Sequence, residues 1–253
     1  MLDDRSTAVL EGRARSSTFA AGATILEQGE PCSRVGTLVR GTVKVVHLTE
    51  DGDEQVLQLR RPGDLIGDPF GEESGVGWQA ATDVTMCWLP RASLDGVFRE
   101  VPVLYRAFLA GAVRELQDQR LWAAALRGRS TVQRLAYWLA RQPVAASDSG
   151  AAIVEIELSR RDLASLLDMS VETLCRSLHQ IEQRGAIRLL APDMVAVTDP
   201  AALRRLSSVE EELSAPRVRA SKAARRDKAF LYNAADPGSP KGDRGTGAPR
   251  RSR

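Results

Sequence analysis

The stretch Ser159-Arg160-Arg161-Asp162-Leu163-Ala164-Ser165-Leu166-Leu167-Asp168-Met169-Ser170-Val171-Glu172-Thr173-Leu174-Cys175-Arg176-Ser177-Leu178 reads as two short helices joined by a tight turn. Ser159 and Ser170 each precede an apolar-periodic run, the position where a hydroxyl accepts from an otherwise unpaired backbone N–H. Leu163, Ala164 and Leu167 share a face of the first helix, and Leu174, Leu178 and Ile181 share a face of the second. These faces are predicted to pack together, with the small Ala164 permitting close approach. The second helix keeps another face, with Val171, Glu172, Cys175 and Arg176 on it and Ser170 and Thr173 at its start. This is the layout of a helix-turn-helix, whose second helix enters the major groove of double-stranded DNA.

The residue types suit that task. A guanidinium fork matches the O6 and N7 acceptors of guanine and a carboxylate accepts from cytosine N4, so Arg176 and Glu172 together can read one G·C pair. Ser159, Arg160, Ser170 and Thr173 lie at helix starts, where side chains meet phosphates. The plainer alternative for Glu172 and Arg176 is an i,i+4 surface ion pair worth about 0.2–0.5 kcal/mol. Cys175, beside Arg176, is a candidate redox-sensitive thiol, because its oxidation would set bulk and negative charge against the DNA. The alternative there is a small residue with no redox role.

Downstream, Ala186 to Leu190 and Met194 to Thr198 form a predicted hairpin around Pro192-Asp193, a wing beside the two helices. Upstream lie a strand over Ile153 to Leu158, a small-residue loop from Gln142 to Ala152, and a helix begun by the capping box Ser130-Thr131-Val132-Gln133. Gly128 is a predicted hinge. Before it, a long helix starts at Pro102, and Tyr105, Leu109, Ala112, Leu116, Gln119, Ala123 and Leu126 follow alternating steps of four and three. That narrow seam suits a parallel two-helix homodimer; a helix packed on its own barrel is the alternative. Residues 16–97 read as short strands, among them Thr37-Leu38-Val39, Thr42 to Leu48, Gln55 to Leu59 and Val84 to Leu89, broken at Asp51-Gly52-Asp53 and Pro62-Gly63-Asp64. Closely spaced short strands point to a barrel or jelly roll.

The chain has 253 residues and an apolar fraction of 43%, room for two modest cores. No apolar run approaches the roughly 20 residues of a membrane helix. Met1-Leu2-Asp3-Asp4 opens on acids rather than a basic export region, so no membrane contact and a cytoplasmic location are expected. Cys32, Cys87 and Cys175 are scattered and odd in number, which fits reduced thiols rather than a disulfide framework or zinc site. Net charge is +2, yet the basic excess lies wholly after Ser214, where Arg and Lys outnumber Asp. Beyond about Ser208 apolar periodicity ends and a basic disordered tail is expected.

Ser170-Val171-Glu172-Thr173-Leu174-Cys175-Arg176 resembles the recognition helix of the Crp/Fnr superfamily of bacterial regulators. The likeness extends over roughly residues 16–207: Phe19, Gly22, Leu26, Gly29-Glu30 and Gly41, then Arg61-Pro62-Gly63-Asp64-Leu65-Ile66-Gly67, Thr82 to Cys87, Leu89-Pro90-Arg91, and Gly128-Arg129-Ser130 through Arg134-Leu135-Ala136. It is closer to Fnr- and FixK-like members than to those that bind cyclic AMP. The resemblance implies an α+β chain: a double-stranded β-helix (jelly roll) of cyclic-nucleotide-binding type over 1–97, a long dimerisation helix and hinge over 98–128, a winged helix-turn-helix over 129–207, and the tail over 208–253. It further implies a transcription activator that meets RNA polymerase and, as a dimer, binds a palindromic TTGAT-type site. Here Cys175 replaces the family's Ser, which leaves the outermost base preference open.

The sensory half argues against the family's known effectors. Gly71-Glu72 is kept, but Val76-Gly77-Trp78-Gln79-Ala80-Ala81 offers no Arg for the phosphate of cyclic AMP. Residues 1–31 contain no cysteine for an iron–sulfur cluster, and only Cys87 matches a ligand position. For haem, His47 and His179 are the only histidines. A cupin-type enzyme would need clustered His and Glu ligands, which one histidine in the roll does not supply. A kinase or channel module would need a phosphate loop or a membrane span.

Overall fold

The computed structural model describes residues 12–146 and 152–207. Its first half is a roll of two antiparallel four-stranded sheets. One has the order β1 (Arg15–Phe19), β8 (Val84–Pro90), β3 (Arg34–Arg40), β6 (Leu65–Ile66); the other has β2 (Thr24–Leu26), β7 (Gly77–Ala80), β4 (Val43–Leu48), β5 (Glu54–Arg60). On β8, Val84, Met86 and Trp88 point inward while Thr85, Cys87 and Leu89 are half-buried, the period of two that a strand imposes. Leu38, Val43, Val45, Ile66, Trp78 and Ala80 fill the space between the sheets. Gly41 turns β3 into β4 at φ +89, and a Cβ there would collide with the Asp83 carbonyl. The expected strands are present, slightly longer than expected at β3, β5 and β8; β1, β2, β6 and β7 were not foreseen.

A short helix α1 (Leu94–Glu100), also unforeseen, leads into α2 (Pro102–Leu126). Proline stands in the first turn of α2, where no N–H is missed. One side of α2 leans on the roll: Phe108 meets Phe70 and Phe98 at ring separations of 5.8 and 5.7 Å. Another side carries the expected seam. Tyr105, Leu109, Ala112 and Leu116 are exposed, and Gln119, Ala123 and Leu126 are half-buried. The helix thus packs on its own roll along one side and leaves the seam residues open on another. Val113, 56% exposed, widens the apolar surface beyond the seam. After Leu126 the chain extends and turns at Gly128 (φ +68).

Ser130 starts α3 (Thr131–Arg141) with both arms of the capping box formed. There follow β9 (Ala145–Ala146), β10 (Ala152–Glu155), α4 (Arg160–Leu166), α5 (Val171–Gln183), β11 (Ile187–Ala191), β12 (Met194–Val197) and α6 (Pro200–Leu206). The strands form a sheet in the order β11-β12-β10-β9, the wing. Two expectations are corrected. The strand over 153–158 stops at Glu155, because Glu157 turns toward the roll to pair with Arg61. The loop 142–152 holds β9, which pairs with β10. The helix α6 was missed although Asp199-Pro200 is a local start signal: the Asp199 carboxylate accepts from Ala201 and Ala202, and the Ala202 N–H foremost holds its pKa below the usual carboxylate value. The expected tail over 208–253 lies outside the described residues.

The helices and wing share one core, built from Leu135, Leu139, Leu163, Leu167, Leu174 and Ile181 among others, and Val46 and Val56 of the roll join it. The Val56 N–H donates to Ser165 Oγ (2.9 Å), and Lys44 Nζ lies 3.1 Å from Asp162 and 3.7 Å from Glu54. Thus α4 is docked on β4 and β5.

Candidate nucleic-acid interface

The two helices pack as their spacing required: Leu163, Ala164, Leu167, Leu174, Leu178 and Ile181 are all buried. The turn between them passes through Asp168 at φ +53, a left-handed conformation that a short polar side chain tolerates better than most. Arg134 of α3 braces this turn. Its Nη1 donates to the Asp168 carbonyl (2.9 Å) and the Leu167 carbonyl (3.3 Å) and reaches the Asp168 carboxylate at 3.3 Å. Sequence reasoning gave Arg134 no role at the site, since nothing local announces a partner on another helix.

Ser170 Oγ accepts from the Thr173 N–H at 3.2 Å and lies 2.9 Å from Thr173 Oγ1, fixing the start of α5. Ser159 Oγ does the same for Asp162 N–H at 3.0 Å and fixes the start of α4. The Ser159 and Ser170 hydroxyls therefore act first as caps, and the Thr173 hydroxyl is paired with that of Ser170. Val171, Glu172 and Arg176 are exposed together on α5, and Cys175 between them is half-buried. Glu172 and Arg176 are 3.9 Å apart with side chains 89% and 71% exposed, a loose pair that leaves both groups available to a groove. His179 Nδ1 lies 2.8 Å from the Cys175 carbonyl, within its own helix. Arg160 is half-buried, and its Nη1 is shut off from solvent without a hydrogen-bond partner among the described residues. Its neighbour Arg161 is the exposed cation at this helix start.

The other thiols sit in the roll. Cys32 is buried, and burial pushes the half-buried Cys87 thiol above its usual pKa. Among the described residues no group of three or more His, Cys, Asp or Glu is placed to hold a metal ion, and no helix is long and apolar enough to cross a membrane.

A roll, a long helix with an open apolar seam, and a helix-turn-helix whose reading face is clear define a DNA-binding regulator rather than an enzyme. Comparison with known proteins agrees. The cyclic nucleotide-binding domain profile matches residues 16–101, and the Crp-like helix-turn-helix domain profile matches residues 133–206. A "Probable transcriptional activator" of Rhizobium leguminosarum bv. viciae is 31% identical over 190 residues, covering 74% of this chain and 79% of that protein. The nitrogen fixation regulation protein FixK of Bradyrhizobium diazoefficiens is 26% identical over 82% of this chain and 88% of its own. The structure of FixK2 from Bradyrhizobium japonicum matches the fold with a TM-score of 0.68 at 23% identity, over 76% of this chain and 96% of that one. The chain belongs to the Crp/Fnr superfamily of DNA-binding transcription regulators, on its FixK-like side.

The domain profile raises the question of a cyclic nucleotide, and the residues present do not fit one. The Asp68 carboxylate already takes the Phe70 and Gly71 N–H groups (2.9 and 2.8 Å), and no Arg stands in the 76–81 segment.

Proposed function

We propose that two copies of this chain pair along the α2 seam and bind a palindromic, TTGAT-like DNA site as a cytoplasmic activator that meets RNA polymerase. In this reading residues 1–97 are the sensory roll, 98–128 the dimerisation helix and hinge, 129–207 the DNA-binding unit and 208–253 a basic tail. Arg176 and Glu172 read one G·C pair in each half-site, Val171 and Cys175 line the groove beside them, and Ser159, Ser170 and Thr173 face phosphates. Arg160 meets a phosphate at the α4 start, with the exposed Arg161 beside it. The single observation that carries the reading is the open face of α5, where Glu172 and Arg176 project side by side into solvent. Selection of binding sites from random duplex DNA, followed by footprinting, tests it. A two-fold symmetric logo with half-sites one helical turn apart is the expected result; an asymmetric or featureless logo overturns it.

A further inference from the structure

His179 lies on the open face of α5. At about 100° per residue it comes round to within about 20° of Glu172 and about 60° of Arg176, roughly 10.5 and 4.5 Å further along the helix axis. Leu174, Leu178 and Ile181 bury the opposite side, and His179 is exposed. The first residues of a recognition helix meet the base edges. A side chain one to two turns later on the same face therefore stands level with the phosphates that wall the groove.

A hydrogen bond inside the helix decides what the ring can offer there. Nδ1 lies 2.8 Å from the Cys175 carbonyl. A carbonyl oxygen can only accept, so Nδ1 carries a hydrogen, and in the neutral ring Nε2 is left with a lone pair and no hydrogen. Such an atom has nothing to give a phosphate oxygen, which also only accepts. Once protonated, the ring keeps its bond to Cys175 and gains a charged Nε2–H donor. Histidine is the side chain whose charge ordinarily changes between about pH 5 and 8.

Among the described residues His179 is in no ion pair. On its own helix the Cys175 thiol and Arg176 precede it, Glu172 pairs with Arg176, and Glu182 accepts from the Leu189 N–H. Of the elements packed on α5, α3 commits Arg134 to the Asp168 turn and Arg141 to the Tyr137 ring. Asp162 of α4 is paired with Lys44, Arg160 and Arg161 stand at the start of that helix, and β11 carries Arg188. Each carboxylate in this neighbourhood thus has a partner already, and the rest is cationic. A DNA phosphate supplies the anion that would hold a proton on the ring.

We propose that His179 is a proton-dependent phosphate contact: its Nε2–H donates to a backbone phosphate of the half-site, so that DNA binding takes up a proton and tightens as pH falls. The inference rests on α5 being the reading helix and adds to it a contact that answers to acid. The proton passes from the buffer to Nε2, at most one per chain. An anion beside the ring favours its charged form, so the gain is fullest at the acid end of the histidine range and is lost as pH rises.

The test is fluorescence anisotropy of the full-length protein on a labelled duplex bearing its selected site, between about pH 5.5 and 8 and at several salt concentrations. Wild type is expected to bind about tenfold more tightly at the acid end. His179→Gln should lack that gain and match wild type at the alkaline end, and His179→Lys, charged throughout, should bind tightly at both. The salt dependence of wild type should steepen at the acid end by about one phosphate contact per chain, and that of His179→Gln should not. His47 is the one other histidine, so His47→Gln is expected to keep the wild-type profile. The inference is overturned if wild type and His179→Gln respond to pH alike, if His179→Lys binds no more tightly than His179→Gln at the alkaline end, or if His47→Gln removes the pH dependence. Site selection on the same preparations separates the two readings. Specific binding whose pH profile ignores residue 179 sinks this inference alone, and protein that selects no site at any pH overturns the reading of α5 and this contact with it.

Discussion

Arg61, one residue past the end of β5, forms an ion pair with Glu157, just ahead of the helix-turn-helix, and the two residues are 96 positions apart in the chain. Thr42 Oγ1, wholly buried, donates to the same Glu157 carboxylate oxygen at 2.8 Å and accepts from Arg61 at 2.7 Å. Arg61 also donates to Gln142 Oε1 at 3.1 Å. Arg60 and Arg61 thus reach different elements, one pairing with Glu115 of α2 and the other with Glu157 ahead of the helix-turn-helix. The end of β5 thus touches both α2 and the helix-turn-helix half.

Glu157→Ala is accordingly expected to destabilise the protein by about 1–3 kcal/mol, because the buried Thr42 hydroxyl loses its acceptor and Arg61 its carboxylate partner. Urea unfolding measures the loss. Limited proteolysis of the variant should cut between the roll and α4 sooner than in wild type. An unchanged midpoint and digestion pattern would mean that the apolar contacts of Val46 and Val56, with the Ser165 and Asp162 ties, hold the two halves together without Glu157.

The seam is open to a partner in the single chain, with Leu109 and Leu116 about half exposed. Leu109→Glu with Leu116→Glu should therefore leave the fold of each chain intact while giving monomers and abolishing site-specific DNA binding. Light scattering reads the mass and circular dichroism the fold. A dimer of wild-type mass would place the pairing surface elsewhere.

Arg134→Ala removes the donors that hold the Leu167 and Asp168 carbonyls of the turn. The expected loss is about 1–2 kcal/mol of stability. DNA affinity should fall for all sequences alike, with no change of site logo, since Arg134 holds the turn and does not face the bases. A changed logo with unchanged stability would make Arg134 a base contact instead.

Much of this was readable because its causes are local. A Ser130–Gln133 capping box, a Ser170 cap and the apolar faces of α4 and α5 each draw on residues within a turn or two, and all are present. The strands that escaped notice are those whose burial depends on distant partners. β6 has 2 residues and is a strand only because β3 lies beside it, and β1 reads Arg15-Ser16-Ser17-Thr18-Phe19 with no apolar alternation. At the site the same division holds. Glu172 and Arg176 were legible from an i,i+4 spacing, whereas the turn brace from Arg134 and the burial of Arg160 Nη1 are tertiary facts.

Base reading separates from phosphate contact. Arg176→Ala should weaken binding by about 1–3 kcal/mol at the preferred site and relax discrimination at one G·C pair per half-site. Arg161→Ala, at the exposed start of α4, should weaken all sequences equally and lower the salt dependence by about one phosphate contact. An identical logo for wild type and Arg176→Ala would remove Arg176 from the reading face.

Thiol chemistry should single out Cys175. Cys32 is buried, and burial raises the Cys87 pKa, so at neutral pH less of Cys87 is thiolate than an open cysteine would show, and its reactivity rises only as pH climbs through the raised value. Cys175 lies half-buried on α5, next to Arg176 on the proposed reading face. Mild peroxide is therefore expected to lower DNA affinity in wild type, dithiothreitol to restore it if oxidation stops at the sulfenic acid or a disulfide, and Cys175→Ser to be indifferent to both. Mass spectrometry of iodoacetamide-labelled peptides at neutral pH should find Cys175 modified ahead of Cys87. Equal loss of affinity in wild type and Cys175→Ser would move the oxidisable group away from the recognition helix and into the roll.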